Sequence, residues 1–279
     1  EEPPAGNRRT WEHAAVGGPY RRLLRRLRRD VWRSPRSGGP QWSAGVAKMG
    51  LQGSMPDPIP AMALRLPPYQ PLPAPQPGQA LLEVAVADLQ PTQLCVGLAE
   101  VRSRQRDFST ETRNQRSDYL GSKPVPLVRD RAGALWMVDR HHRLRALIEL
   151  DPAATAFGYL VLQLESDDRA AALEALSQRG WLYLYDGRGL GPLPPTALPS
   201  RLTGLEDDPF RSLVWKLKKE GVIQPAPLIP FHEFRWGAWL RRRSLPPFSS
   251  DRLEPALPAA RALVRSSAAS HLAGWTGQR

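Results

Sequence analysis

Cysteine is almost missing from this chain: Cys95 is the single one in 279 residues. That count excludes an internal disulfide, a multi-cysteine zinc site, haem attachment through paired cysteines and an iron–sulfur cluster. No apolar run approaches the ~20 residues that cross a bilayer as a helix, so a membrane span is excluded and a soluble, cytoplasmic protein is expected. Acidic residues are also in the minority, 27 against 39 Lys and Arg, for a net charge of +12. Proline, by contrast, is abundant at 30 residues, so much of the chain is not regular structure.

The positive charge is uneven: residues 1–54 carry a net +7 and residues 55–279 a net +5. The densest piece, Tyr20–Trp32, sets Leu23, Leu24, Leu27 and Val31 on one helical face between arginines. Three readings compete for it. It is a basic amphipathic helix for RNA, DNA or an anionic surface, an organelle transit peptide, or an unstructured tail of an overextended gene model. Glu1 and Glu2 speak against the transit peptide, and Met49, Met55 and Met62 stand just before the first well-patterned segment. The expected organisation therefore begins with a basic, disordered segment over 1–54. A linker follows over 55–78, where nine prolines fix φ and remove backbone donors.

The patterned part starts near Gln79. Strands are expected at 81–86, 125–128, 134–138 and 157–164, and helices at 93–105, 110–120 (with Ser109 as N-cap), 141–150, 167–179, 208–220 and 230–240. Asp130–Gly133 reads as the turn of a hairpin. Interleaved strands and helices with a hairpin predict an α+β domain, a compact mixed sheet with flanking helices over 79–165. A helical extension over 166–243 and a poorly ordered tail over 244–279 complete the chain. Phe231, Phe234, Trp236 and Trp239 either dock the last helix on the core or form a stacking surface for bases.

One constellation carries chemistry. Asp139-Arg140-His141-His142-Arg143 sits where a strand enters a helix, and a helix start leaves backbone N–H groups unpaired with a partial positive charge. A phosphate can accept those bonds. Arg143 and Arg140 can grip its oxygens and His141 or His142 can donate to them. Asp139 can cap the helix, orient a histidine or hold Mg²⁺ through one carboxylate. The structural alternative has His141 capping, His142 satisfied in the core and Arg143 paired with a surface acid. On spacing alone both stand.

The motif lies in the run Val138–Leu147, and two further runs precede it, Pro91–Val101 and Lys123–Asp130, with Asp207–Leu213 and Pro230–Trp236 later on. Together they resemble the ParB-like nuclease family of the ParB/sulfiredoxin superfamily, over about residues 81–243. The resemblance implies the ParB/sulfiredoxin-like fold and a nucleotide or phosphate ligand (ATP, ADP or CTP, with Mg²⁺) at the helix start. Among the superfamily's variants, Asp139–Arg143 is most similar to the Asp-Gly-His-His-Arg pattern of a free-serine kinase branch, with Arg140 in place of glycine. Sulfiredoxin chemistry is not expected without a cysteine in the motif, and no DNA-binding helix-turn-helix is legible after residue 165. In this superfamily the segment bearing Glu100 pairs with the phosphate motif, which makes Glu100, Asp139 and His142 the candidate catalytic residues, with Glu100 as base or metal ligand. Its alternative is a solvent-facing helix residue. Arg102, Arg104, Lys123 and Arg129 are weaker candidates for phosphate contacts. Three functions follow: a phosphate- or nucleotide-binding domain, up to a phosphotransferase; a nuclease acting on DNA or RNA, as the family name suggests; and a non-catalytic nucleic-acid-binding protein driven by the Arg-rich ends. Residues 79–243 carry a net charge of only +3, so a basic core surface is not expected.

Overall fold

The computed structural model describes residues 64–277. The basic segment 1–54 and the start of the proline-rich stretch lie outside the described residues. In chain order the elements are β1 (Leu82–Ala85), β2 (Leu89–Pro91), β3 (Cys95–Val96), α1 (Leu98–Thr110), α2 (Arg113–Ser122), β4 (Val125–Arg129), β5 (Leu135–Met137), α3 (His141–Leu150), β6 (Thr155–Gln163), α4 (Arg169–Gln178), β7 (Glu206–Asp207), α5 (Pro209–Lys219), α6 (His232–Arg241) and α7 (Leu257–Arg265). Five strands form a mixed sheet in the order β1-β6-β4-β5-β2. β1 is antiparallel to β6, β4 parallel to β6, β5 antiparallel to β4 and β2 parallel to β5. The expected α+β class is the observed one.

The β4–β5 hairpin turns at Asp130, whose Oδ1 accepts the Ala134 N–H (2.8 Å). One face of the sheet packs Leu127 and Met137 with Val101 of α1 and with Leu144 and Leu147 of α3; Val128, Trp136, Leu173, Leu176 and Trp181 form a second core. The third core is helical, built from Leu213, Leu217, Trp236, Trp239 and Leu257, and Ala99 of α1 joins it.

Local spacing misplaced two helices. Residues 93–96 are extended instead of helical, because their backbone groups pair at long range: the Leu94 N–H with Tyr183 O (3.2 Å), the Glu206 N–H with Leu94 O (2.9 Å) and the Asp208 N–H with Val96 O (2.7 Å). Helix α1 starts only after this β3–β7 pairing. The N-cap of α2 is Thr112, not Ser109: Thr112 and Gln115 make a reciprocal capping box, while Ser109 donates back to Arg106 O inside α1. The tail is not poorly ordered among the described residues. Leu257, Ala260 and Val264 recur at helical spacing, form one face of α7 and bury it in the third core. Phe234, Trp236 and Trp239 are buried, so α6 docks on the core and offers no stacking surface for bases.

Candidate functional site

The chain leaves β5 at Met137, whose carbonyl accepts the Thr92 hydroxyl (2.8 Å), and must reverse into α3 within three residues. It does so through Arg140, which adopts φ 77°, ψ 14°. This left-handed geometry favours glycine and costs a side-chain-bearing residue ~1 kcal/mol or more. Arg140 therefore occupies, with strain, the position where the most similar superfamily pattern has glycine. Asp139 holds it there: Oδ1 accepts the Arg140 N–H and Oδ2 meets its guanidinium, both at 2.7 Å.

The first turn of α3 is left open. No side chain caps it, and among the described residues the N–H groups of His141, His142 and Arg143 find no acceptor. Three other helix starts carry a side-chain cap. Thr112 caps α2, Asp168 caps α4 and Asp208 caps α5. In α1 the amides of Leu98 and Ala99 go to Asp207 Oδ1 (3.0 Å) and Ser212 Oγ (3.1 Å). Helix α6 has a similar left-handed entry at Phe231, but its first turn carries the acidic Glu233.

Cations crowd the open end of α3. Arg143 stacks on Tyr119 (4.9 Å to the ring centre) and donates from Nη1 to Lys123 O (3.1 Å); Arg104 reaches the same Tyr119 hydroxyl (3.3 Å). Burial, with the charges of Arg140 and Arg104, lowers the Arg143 pKa from its ordinary value, against an opposing effect of Tyr119. The Nε atoms of both Arg140 and Arg143 are buried and have no partner among the described residues. Lys123 contributes its carbonyl to this arrangement. Arg102 pairs with Asp251 and Arg129 with Gln163, so neither joins it through these contacts.

The two histidines point inward. His141 Nε2 accepts the Thr92 N–H (3.1 Å) and His142 Nε2 accepts the Gly97 N–H (2.9 Å). Accepting nitrogens are unprotonated, and burial agrees: it is the main cause lowering His141 to about 3, with His142 adding to it, and lowering His142 to about 4, with Arg211 adding to it. The expected donation from these Nε2 atoms to a phosphate is thus corrected. They tie α3 to the segment before α1.

Glu100 is not the solvent-facing residue of the alternative reading, nor a poised base. Its carboxylate lies 3.0 Å from Arg211 Nη2, 3.7 Å from Arg104 and 3.9 Å from His142 Nε2. Burial alone would raise its pKa; the positive charges of His142 (when protonated), Arg211 and Arg104 outweigh that and hold it below the ordinary carboxylate range. Among the described residues no hydrogen bond or ion pair joins Glu100 to Asp139. Nor does any group of three or more His, Cys, Asp or Glu gather there to hold a metal, so the expected Mg²⁺ ligand Asp139 stands as one carboxylate already paired with Arg140.

Sequence reading missed Arg211 and the aspartates before it. Arg211 is buried between Glu100 and Glu233, and Lys218 pairs with Glu233. Asp208 Oδ1 caps α5 and also takes Arg241 Nη2 (2.7 Å). The Asp-Asp-Pro run was a legible cap signal, but the bond that Asp207 accepts from the Leu98 N–H spans more than a hundred residues and leaves no local trace.

The residues that build this arrangement fall within a stretch shared with known proteins. The family model described as "Putative ParB-like nuclease" matches residues 82–242. The crystal structure of protein Atu1540 from Agrobacterium tumefaciens is similar over its whole length and 72% of this chain, at 29% identity and a TM-score of 0.63. No curated protein matches the chain. Among the described residues no helix is long and apolar enough to cross a membrane. With the family match running from β1 to the end of α6, the chain belongs to the ParB-like nuclease family.

Proposed function

We propose that this domain binds a phosphate-bearing ligand, a nucleotide such as ATP, ADP or CTP, at the start of α3. The observation that carries the reading is the open first turn, three amides without acceptors flanked by the unused Nε groups of Arg140 and Arg143. Such an end attracts an oxyanion through both its N–H groups and its partial charge. Arg143, held over the Tyr119 ring, presents a fixed fork. His141 and His142 serve the site by fixing the direction of α3.

A transferase would add to this a group that accepts the proton of the phosphoryl acceptor. Both carboxylates are ion-paired, but Asp139 is half exposed and next to the open amides, which places it better for that than the largely buried Glu100. Mg²⁺, when bound, neutralises phosphate charge; here it would be held by Asp139 together with the phosphates, since among the described residues no group of three or more His, Cys, Asp or Glu gathers to hold a metal. A nuclease reading rests on the family description, and two-metal hydrolysis asks for more carboxylates than this site holds.

Calorimetric titration with ATP, ADP, CTP and inorganic phosphate, with and without Mg²⁺, tests the proposal. Arg143→Ala removes a charged donor worth ~1.5–3 kcal/mol, so affinity should fall about 10- to 100-fold. If the unaltered protein binds none of the four, the reading fails. Cleavage of labelled DNA or RNA in Mg²⁺ or Mn²⁺ would favour the nuclease instead.

A further inference from the structure

The proline-rich stretch before β1 is more than a spacer. Residues 64–75 contain five prolines and form neither helix nor strand, yet they are gripped along their length. Tyr185 Oη accepts the Arg65 N–H (2.8 Å) and donates to Arg65 O (2.9 Å). The Trp181 indole N–H donates to Gln70 O (2.7 Å), the Gln70 N–H donates to Arg179 O (2.9 Å), and Tyr159 Oη donates to Pro73 O (3.0 Å). Between these bonds Leu64 and Leu66 pack beside Tyr183 and Tyr185, and Tyr69 and Leu72 beside Trp181. Gly180, at φ +66°, makes the approach possible: a Cβ there would stand 2.2 Å from Pro68 O.

Aromatic side chains that hydrogen-bond the backbone of a proline-rich segment are the chemistry of polyproline II recognition. From the structure we infer that this trough is a polyproline II binding site, filled here by the chain's own Leu64–Pro75, and that the same segment of a second copy can replace it. Three observations favour a second copy. An identical segment conserves every bond just described. The connection to β1, residues 73–80, is exposed throughout. It turns at Gln76–Gln79, where Gly78 has nothing within 4 Å. An exposed hinge joining a strap to its own seat is the arrangement that allows reciprocal exchange. The internal strap is favoured only by its effective concentration, of millimolar order for a short tether.

The test uses two full-length variants. Leu66→Asp with Tyr69→Ala and Leu72→Asp spoils the strap and leaves the trough. Gly180→Ala with Trp181→Phe spoils the trough and leaves the strap. Each alone should be monomeric by analytical ultracentrifugation, and an equimolar mixture should give a 1:1 heterodimer of doubled mass. A labelled peptide of residues 64–77 should bind the strap variant at least ~10-fold more tightly than the unaltered protein, whose trough is filled. Capture of the peptide without the heterodimer would overturn exchange between copies. No peptide binding at about 1 mM by a variant with unaltered circular dichroism would overturn the site itself. Should the strap variant not fold, excess peptide added to the unaltered protein must speed trypsin cleavage after Arg65, and an unchanged rate refutes the inference.

Discussion

Arg211→Met isolates the buried ionic cluster that joins α1, α5 and α6. Methionine keeps most of the volume of the side chain, and only 6% of Arg211 is exposed, so the change is chiefly one of charge. Removing one member of a buried ion pair costs about 3–5 kcal/mol, because the partner stays desolvated and uncompensated. Two partners are affected here, but Lys218 stays on Glu233 and Arg104 on Glu100, which argues for the lower end, about 3 kcal/mol at pH 7.5. The dependence on pH is the sharper test. In the unaltered protein the cations hold Glu100 and Glu233 below their ordinary values, although burial opposes this. Their contribution is present at neutral pH and is lost only as the pH falls through the lowered folded values. Without Arg211 one of the charges that oppose burial is gone, so the Glu100 pKa moves up from its lowered value. The variant's Glu100 then takes up its proton at a higher pH than in the unaltered protein, which removes the uncompensated charge as the pH falls. His142, relieved of the Arg211 charge, takes up a proton more readily and acts in the same direction. The deficit should therefore shrink from about 3 kcal/mol at pH 7.5 toward about 1 kcal/mol at pH 4.5. Urea unfolding followed by tryptophan fluorescence measures it, since Trp236 and Trp239 lie in the adjoining core. A deficit below about 1 kcal/mol at pH 7.5, or one that grows on acidification, refutes the account of the cluster.

Three further outcomes are expected. By NMR, the imidazole signals of His141 and His142 should not titrate between pH 7.5 and 5, given folded values of about 3 and about 4; a midpoint near 6.5 for either would show that its ring is not an inward acceptor. Asp208→Ala removes the cap of α5 and the partner of Arg241, so a loss of about 2–4 kcal/mol in chemical unfolding is expected, and a loss under about 1 kcal/mol would contradict the double role. Gly97→Ala would put a Cβ 2.7 Å from the Ser212 nitrogen, forcing α1 and α5 apart; an overpacking cost of about 1–3 kcal/mol should appear as a lower melting temperature, and an unchanged one would mean that the helices yield freely.

Elements signalled by neighbouring residues were legible. Helix α3 spans His141–Leu150 as its spacing predicts, and α4 and α5 start at aspartates that cap them. The β4–β5 hairpin turns where Asp130–Gly133 announced it. Residues 93–96 were not legible, since their pattern suits a helix until Tyr183 and Glu206 supply backbone partners from far along the chain. The candidate site divides in the same way. That a helix begins at His141 behind a strand and is ringed by arginines follows from the order of residues, and with it the expectation of an anion site. Which way the side chains turn does not. His141 and His142 face inward because Thr92 and Gly97 bring N–H groups to them, and Glu100 is spoken for because Arg211, more than a hundred residues later, is folded against it. Helix starts and turns are set by bonds within a few residues, whereas burial and the partners of a buried charge exist only once distant segments have met.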